Sequence, residues 1–159
     1  MPNSLSTAQM LIALIDEMHR LRGRLTSASV EFHASDEPAG LAMTVLTAVV
    51  MAAYPPTVPQ IGRSLGYPRQ TIQRQADDLA HRGLIAWVDN PDHKRAQRLV
   101  GTDAGNAIQS RANARSLVWA ATITEGVDAE KLADAITTLH QIRARIEDRS
   151  RQTALHSKP

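Results

Sequence analysis

The stretch that decides the fold is residues 57–105, which read TVPQIGRSLGYPRQTIQRQADDLAHRGLIAWVDNPDHKRAQRLVGTDAG. At its start, Thr57 and Gln60 have the spacing of a capping box, in which two residues satisfy each other's backbone amides at a helix N-terminus. Gly66 is typical of a helix end, because glycine adopts the left-handed conformation without strain. The stretch is therefore predicted to begin with a short helix that ends near Leu65.

A second helix is predicted after the turn at Gly66 and Tyr67, with Pro68 at its first helical position. Its inward face is formed by Ile72, Ala76 and Leu79, which recur at helical spacing. Its other face has arginine and glutamine side chains, which can pair with guanine and adenine in a major groove. The candidate DNA-binding residues on this helix are Pro68, Arg69, Gln70, Thr71, Gln73 and Arg74.

A short hairpin is predicted next. Ile85–Val88 is apolar and β-prone, the DNPD that follows is typical of a turn, and Gln97–Val100 suits a return strand. The loop between the strands contains Lys94 and Arg95, and a basic arm of this kind can enter a minor groove. Lys94 and Arg95 therefore complete the candidate DNA-binding set. Each part alone is compatible with an ordinary solvated surface, and it is their order along the chain that favours DNA binding.

Helical periodicity flanks this stretch on both sides. Apolar residues recur every three or four positions from Thr7 to Phe32, which predicts a helix of about seven turns. Residues 41–53 are apolar nearly all round and predict a buried helix. Two more helices are predicted after Thr102, the second capped by Asp128. Its inward residues are predicted to be Leu132, Ile136, Leu139 and Ile146. A stripe as long as the first is more than a chain of 159 residues can bury, so we expect a second copy to cover part of it, with a core helix in a monomer as the alternative.

Composition narrows the function classes. The chain has no cysteine, which excludes disulfides and thiolate metal sites. No apolar run approaches the roughly 20 residues of a membrane span, and the N-terminus lacks the pattern of a secretory signal, so the sequence predicts a cytoplasmic protein without membrane contact. Between Gln60 and Arg98 there are seven Lys/Arg residues against four Asp, a basic excess that suits a polyanion such as DNA.

No set of residues predicts catalysis, so we expect no enzyme activity and no cofactor. The six histidines have neither HxxxH nor HxxEH spacing. Zinc bound through His19, His33 and nearby acidic residues stays open, but solvated or packed histidines are the simpler interpretation, and no metal site is predicted.

The chain resembles the MarR family of bacterial transcriptional regulators. The resemblance is sharpest in four segments, which are IGRSLG (61–66), RQTI (69–72), LAHRGLI (79–85) and NPDHKRA (90–96), the last followed by TDAG (102–105). It implies a mainly α fold with a small β-hairpin wing, that is, a winged helix-turn-helix with N- and C-terminal dimerisation helices. It also implies a homodimer on a pseudo-palindromic operator of double-stranded DNA, usually as a repressor. In many members a small-molecule effector, bound between the dimer helices and the DNA-binding lobe, relieves repression.

The resemblance suggests a division of the chain into three regions. Residues 1–34 and 102–150 would form the helical dimerisation region, residues 41–101 the winged helix-turn-helix lobe, and residues 151–159 a flexible tail. An effector pocket is conceivable near Phe32, Met43, Met51, Tyr54 and Trp119, although an ordinary helical core uses the same residue types.

Three positions depart from the family pattern. His93 stands where the family usually has the aspartate that steadies the wing arginine, and Asp92 is the nearest substitute. Gly101 replaces an apolar residue, which predicts that less side-chain volume fills the space under the wing. Gly62 replaces the usual alanine. The alternative function is a winged helix used for protein–protein contacts without specific DNA binding.

Overall fold

The computed structural model describes residues 5–29, 37–92 and 96–156. Within them the elements are α1 (Thr7–Ser29), α2 (Leu41–Val50), α3 (Val58–Leu65), α4 (Arg69–His81), β1 (Ile85–Val88), β2 (Arg98–Gly101), α5 (Asp103–Ile123) and α6 (Ala129–His156). The mainly α winged helix-turn-helix fold is thereby confirmed. The chain divides into two compact units, Met1–Leu117 and Val118–Pro159, which are described separately below.

The first unit contains the hydrophobic core. Its central residues come from α2, α3, α4 and the hairpin, with a further contribution from the start of α5. Ile72, Ala76 and Leu79 of α4 are each 0% exposed, which confirms the predicted inward face of that helix. The remaining core residues are Val45, Leu46, Val49, Val58, Ile61, Leu84, Ile85, Leu99 and Ile108. One face of α4 is therefore fixed by packing, and the opposite face is available for other contacts.

The two helices of the predicted helix-turn-helix begin and end close to the positions expected from the sequence. At the start of α3, the Gln60 side-chain oxygen accepts hydrogen bonds from the Thr57 amide at 2.7 Å and the Thr57 hydroxyl at 2.9 Å. At its end, Gly66 has φ +73°, a left-handed conformation that glycine adopts without strain. Pro68 was expected at the first helical position but lies one residue earlier, because its ψ of 144° is extended and α4 begins at Arg69. Its carbonyl still accepts the first bond of the helix, from the Thr71 amide at 3.0 Å.

The hairpin pairs β1 and β2 in antiparallel register, with Ile85 opposite Gly101 and Val88 opposite Arg98. The return strand lies one residue later than the sequence predicted. The segment before α3 joins the sheet, since the Leu99 amide donates to the Pro56 carbonyl at 2.8 Å and Thr57 forms an isolated bridge with Arg98. The wing strand is thereby tied to the N-terminus of α3.

The start of α5 locks the hairpin to the end of α4. The Thr102 hydroxyl donates to the Gly83 carbonyl at 2.7 Å and accepts from the Gly105 amide at 3.1 Å. Gly105 leaves no room for a side chain, because a Cβ there would lie 1.9 Å from the Leu84 carbonyl oxygen. The backbone of α5 therefore packs directly on the turn that leads out of α4.

Helix α2 is shorter than predicted. It ends at Val50 rather than near residue 53, and the side chain of Met51 beyond it is 71% exposed. The physical reason is the path of the chain, which must leave the helix before Pro56 to reach β2. Val45, Leu46 and Val49 lie in the core, and every other residue of α2 except Thr44 is half-buried, as expected for a buried helix.

The long helices expose apolar side chains within the single chain, namely Leu11, Met18, Leu21 and Leu25 on α1, Val118 on α5, and Leu132, Ile136 and Ile146 on α6. For α1 this agrees with the expectation that its own chain does not bury the whole stripe. Leu132, Ile136 and Ile146 were predicted to face inward and do not do so within the single chain. Phe32 lies outside the described residues. Helix α6 begins after Asp128, whose carboxylate accepts from the Glu130 amide at 2.9 Å, and it continues to His156.

Candidate nucleic-acid interface

The N-terminal half of α4 presents the predicted DNA-binding residues. Pro68, Arg69, Gln70 and Arg74 are exposed, whereas Thr71 and Gln73 are half-buried at the sides of the helix. These groups occupy the helix surface that Ile72, Ala76 and Leu79 leave outside the core, and all but Pro68 are polar. We call this surface the reading face; it comprises Pro68, Arg69, Gln70, Thr71, Gln73 and Arg74.

The reading face is held by a close approach of the turn to α3. A Cβ on Gly62 would lie 2.9 Å from the Tyr67 carbonyl oxygen, so any side chain there would push the turn away. The Tyr67 amide also donates to the Gly62 carbonyl at 2.9 Å. The departure at Gly62 therefore has a structural reason, because it lets the turn sit directly on α3.

Charge is unevenly distributed along α4. The two arginines of the reading face, Arg69 and Arg74, lie in the first half of the helix, and two aspartates, Asp77 and Asp78, follow in the second half. Asp78 lies 4.0 Å from Arg82, and Asp77 accepts a hydrogen bond from the Gln73 amide nitrogen at 3.0 Å. A polyanion would therefore be attracted to the first half of the helix and repelled from the second.

The base of the wing is organised by contacts that the sequence analysis did not identify. The Asn90 side chain donates to the Ala96 carbonyl at 2.8 Å and accepts from the Asp92 amide at 3.1 Å. The Asp92 carboxylate accepts from the Arg98 guanidinium at 2.5 Å. Asp92, which the sequence had suggested as a partner for the wing arginine, therefore pairs with an arginine of β2.

The wing tip itself, His93, Lys94 and Arg95, lies outside the described residues. A role for Lys94 and Arg95 in a minor groove therefore stays a prediction.

Gly101 has a different explanation from the one expected. A Cβ at this position would lie 2.5 Å from the Asn106 side-chain oxygen and 2.9 Å from a methyl group of Val50. The space beside the strand is therefore filled by Asn106 and Val50, whereas the sequence had predicted that the glycine would leave it less well filled.

A second feature of the first unit is a cavity of about 290 Å³ beside α2 and the first part of α5. It is lined by Glu37, Met43, Thr47, Gln109, Ala112, Asn113, Arg115 and Ser116. The Glu37 side chain is 2% exposed and forms an ion pair with Arg115, and its second oxygen lies 3.9 Å from the Arg111 guanidinium. Of the residues suggested for a pocket, Met43 lines the cavity, whereas Met51 and Tyr54 are exposed.

Neither a metal cluster nor a membrane span is found in the described part of the chain. Among residues 5–29, 37–92 and 96–156, no three acidic or histidine side chains gather where they could hold a metal ion. Within those same ranges, no helix combines the length and the apolar character of a membrane span.

Comparison with known proteins places these features in context. The family description "MarR family" matches residues 39–96, which include the whole helix-turn-helix and the first strand of the hairpin but not β2. An uncharacterized protein of Mycobacterium tuberculosis and one of Mycobacterium bovis are each 38% identical to this chain over 76 residues, 48% of this chain. The match spans about half, 53%, of the length of these relatives.

Solved structures share the fold across most of the chain. A mutant MarR from E. coli, complexed with operator DNA, has a TM-score of 0.69 at 18% identity and covers 87% of this chain and 99% of its own. FabT from Streptococcus pneumoniae, in complex with DNA, has a TM-score of 0.65 at 16% identity, with coverages of 89% and 98%. CouR from Rhodococcus jostii, bound to p-coumaroyl-CoA, has a TM-score of 0.71 at 20% identity, with coverages of 79% and 88%. Residues 39–96 are thus similar to the MarR family, and the chain shares the winged helix-turn-helix fold of these solved structures.

Proposed function

We propose that this protein is a transcriptional regulator that binds a pseudo-palindromic DNA operator as a homodimer and acts as a repressor. The observation that carries the proposal is the reading face, where Arg69, Gln70 and Arg74 are exposed and Gln73 is half-buried on a helix whose inward face is fully buried. MarR and FabT, which share this fold, were solved in complex with DNA. No catalytic step is part of the proposal.

Each residue of the candidate set has a proposed role. Arg69, Gln70, Gln73 and Arg74 contact base edges or the nearest phosphates, since arginine pairs with guanine and glutamine with adenine. Thr71, on the side of the helix, meets a phosphate, and Pro68 fixes the entry of the chain into α4. Lys94 and Arg95 enter the minor groove beside it or pair with its phosphates.

Homodimer formation is supported by the long helices. Leu11, Met18, Leu21 and Leu25 form an apolar stripe on α1, and Leu132, Ile136 and Ile146 extend a second one along α6. Exposed apolar surface of this extent is unfavourable in water, and a second copy of the same chain would cover it. A two-fold dimer would then place two α4 helices on the two halves of a palindrome.

Release by a small molecule is the finer part of the proposal. The cavity lined by Met43, Gln109 and Arg115 has the size of a small-ligand site and combines apolar and polar walls. CouR, which shares the fold, was solved with p-coumaroyl-CoA bound. In the cavity wall, the Thr47 hydroxyl of α2 donates a hydrogen bond to the Gln109 side-chain oxygen of α5 at 2.8 Å. We infer that an effector entering this cavity would change how α5 holds α2, and with it the DNA-binding lobe.

The experiment that tests the function is in vitro selection of bound fragments from random double-stranded DNA. We expect the native protein to select a palindromic consensus. Arg69→Ala should relax the base preference at one position of each half-site, and Arg95→Ala should weaken binding to all sequences. For every phosphate that a variant no longer neutralises, the slope of log K against log salt should fall by about one unit.

Arg20→Ala is the matched control, since it removes the same charge from an exposed position on α1, on the side of the helix away from the apolar stripe. It should change neither the consensus nor the salt slope of DNA binding. Weak binding without any consensus, unaltered by Arg69→Ala, would instead favour the alternative function, a winged helix used for protein–protein contacts.

A further inference from the structure

The amide of Gln73 is held in one orientation by its neighbour on α4. Its nitrogen lies 3.0 Å from the Asp77 carboxylate, one helical turn further along. An ionised carboxylate can only accept hydrogen bonds, so the group that faces it must be the NH₂ of the amide rather than its oxygen. The position of Asp77 therefore determines which way the amide points.

This orientation leaves a defined pattern of groups toward the DNA. One N–H of Gln73 is used by Asp77, which leaves the other N–H and Oε1. The amide therefore still offers one donor and one acceptor. Adenine presents the complementary pair in the major groove, the N6 donor and the N7 acceptor, whereas guanine presents two acceptors.

We propose that Asp77 is a positioning residue that sets Gln73 to read adenine and to discriminate against guanine. The inference rests on the proposed function, because it assumes that the reading face enters a major groove. Without Asp77 the amide rotates freely and can turn its NH₂ toward the guanine acceptors, so the discrimination falls. Asp77 does not contact the base and acts through Gln73.

Asp78 provides a matched control on the same helix. It is also an exposed aspartate, but its nearest basic partner is Arg82 at 4.0 Å, and it is not hydrogen-bonded to Gln73. Asp77→Ala and Asp78→Ala remove the same charge from adjacent positions. A general electrostatic effect on DNA affinity should therefore appear in both variants, whereas an effect on base preference should appear in Asp77→Ala alone.

The expected effect is modest and measurable. A Gln–Asp pair on a helix surface shifts an equilibrium by about twofold, so the preference for adenine over guanine should fall about twofold per half-site and about fourfold in a palindrome. Selection from random DNA would locate the base position, and competition binding with adenine and guanine at that position would measure the ratio. Asp77→Glu, which can still accept from Gln73, should restore much of the native preference.

Two further measurements decide the interpretation. In a Gln73→Ala background, Asp77→Ala should cause no additional change in base preference, since the residue through which it acts is gone. A change in base preference that persists in that background would overturn the proposal and make Asp77 a direct DNA contact. If the native protein selects a consensus and Asp77→Ala leaves it unchanged, this inference is overturned and the proposed function stands. If the native protein selects no consensus, the proposed function is rejected as well. Circular dichroism of both alanine variants would show that α4 is intact.

Discussion

The core of the DNA-binding lobe and the long helix α1 have the same kind of apolar periodicity but opposite exposure. Ile72, Ala76 and Leu79 recur at helical spacing on α4 and are fully buried. Leu11, Met18, Leu21 and Leu25 recur in the same way on α1 and are exposed within the single chain. A periodic stripe therefore shows that a helix face needs to be covered, but not whether its own chain or a second copy covers it.

The largest effect is expected from Ile72→Ala in the core of the lobe. Removing a fully buried isoleucine should lower the free energy of unfolding by about 2–5 kcal/mol, because transfer energy is lost and a cavity remains. The matched control is Ile12→Ala on the other side of α1, where Ile12 is 67% exposed and the change should stay within about 0.5 kcal/mol. Urea unfolding at one protein concentration measures both. Equal losses would show that the two regions do not differ in burial.

A charge on the α1 stripe tests the other half of the comparison. Leu21, which is 55% exposed in the single chain, should be covered in the dimer. Leu21→Glu would then bury an unpaired charge and raise the dimer dissociation constant at least about thirtyfold, equivalent to about 2 kcal/mol. Analytical ultracentrifugation measures this constant. Ile12→Glu is the control and should leave the dimer intact, whereas dissociation by both variants, or by neither, would contradict a dimer interface along this stripe.

Gly101 joins the wing strand to the lobe and should tolerate enlargement poorly. In Gly101→Ala the added Cβ would lie too close to Asn106 and Val50, which should cost about 1–3 kcal/mol of stability. Asn106→Ala in the same chain removes the nearest neighbouring atoms, so the double variant should recover part of the loss. Thermal unfolding of the single and double variants checks this coupling, and strictly additive losses would show that Asn106 does not fill the space.

The smallest effect is expected at the cap of α3. Thr57→Ala removes the hydroxyl that bonds to Gln60 and should cost about 1 kcal/mol. Thr137→Ala on α6 is the control, because its hydroxyl bonds to the carbonyl one turn earlier on an exposed helix. A loss at Thr137 as large as that at Thr57 would argue that the capping box has no special role in the lobe.

Local patterns in the sequence were enough to predict most of the helix-turn-helix. The capping box at Thr57 and Gln60, the end of α3 at Gly66 and the inward face of α4 depend on neighbours within a few residues, and the structure confirms them. The ion pair between Glu37 and Arg115 was not found, because it joins residues that come together only when separate segments pack. The ion pair between Asp92 and Arg98 was not found either, because it depends on the path of the hairpin between them. The roles of the candidate DNA-binding residues stay predictions.

The sequence by itself determined the order of the elements and the polar face of α4, because helix periodicity, caps and turns are encoded locally. Only the tertiary structure decided how closely these elements approach. Gly62, Gly101 and Gly105 look like weak points in the sequence, and in the structure the space a side chain would need at each is filled by backbone or by neighbouring side chains. The physical reason is that close packing depends on atoms from distant parts of the chain, which no local pattern records.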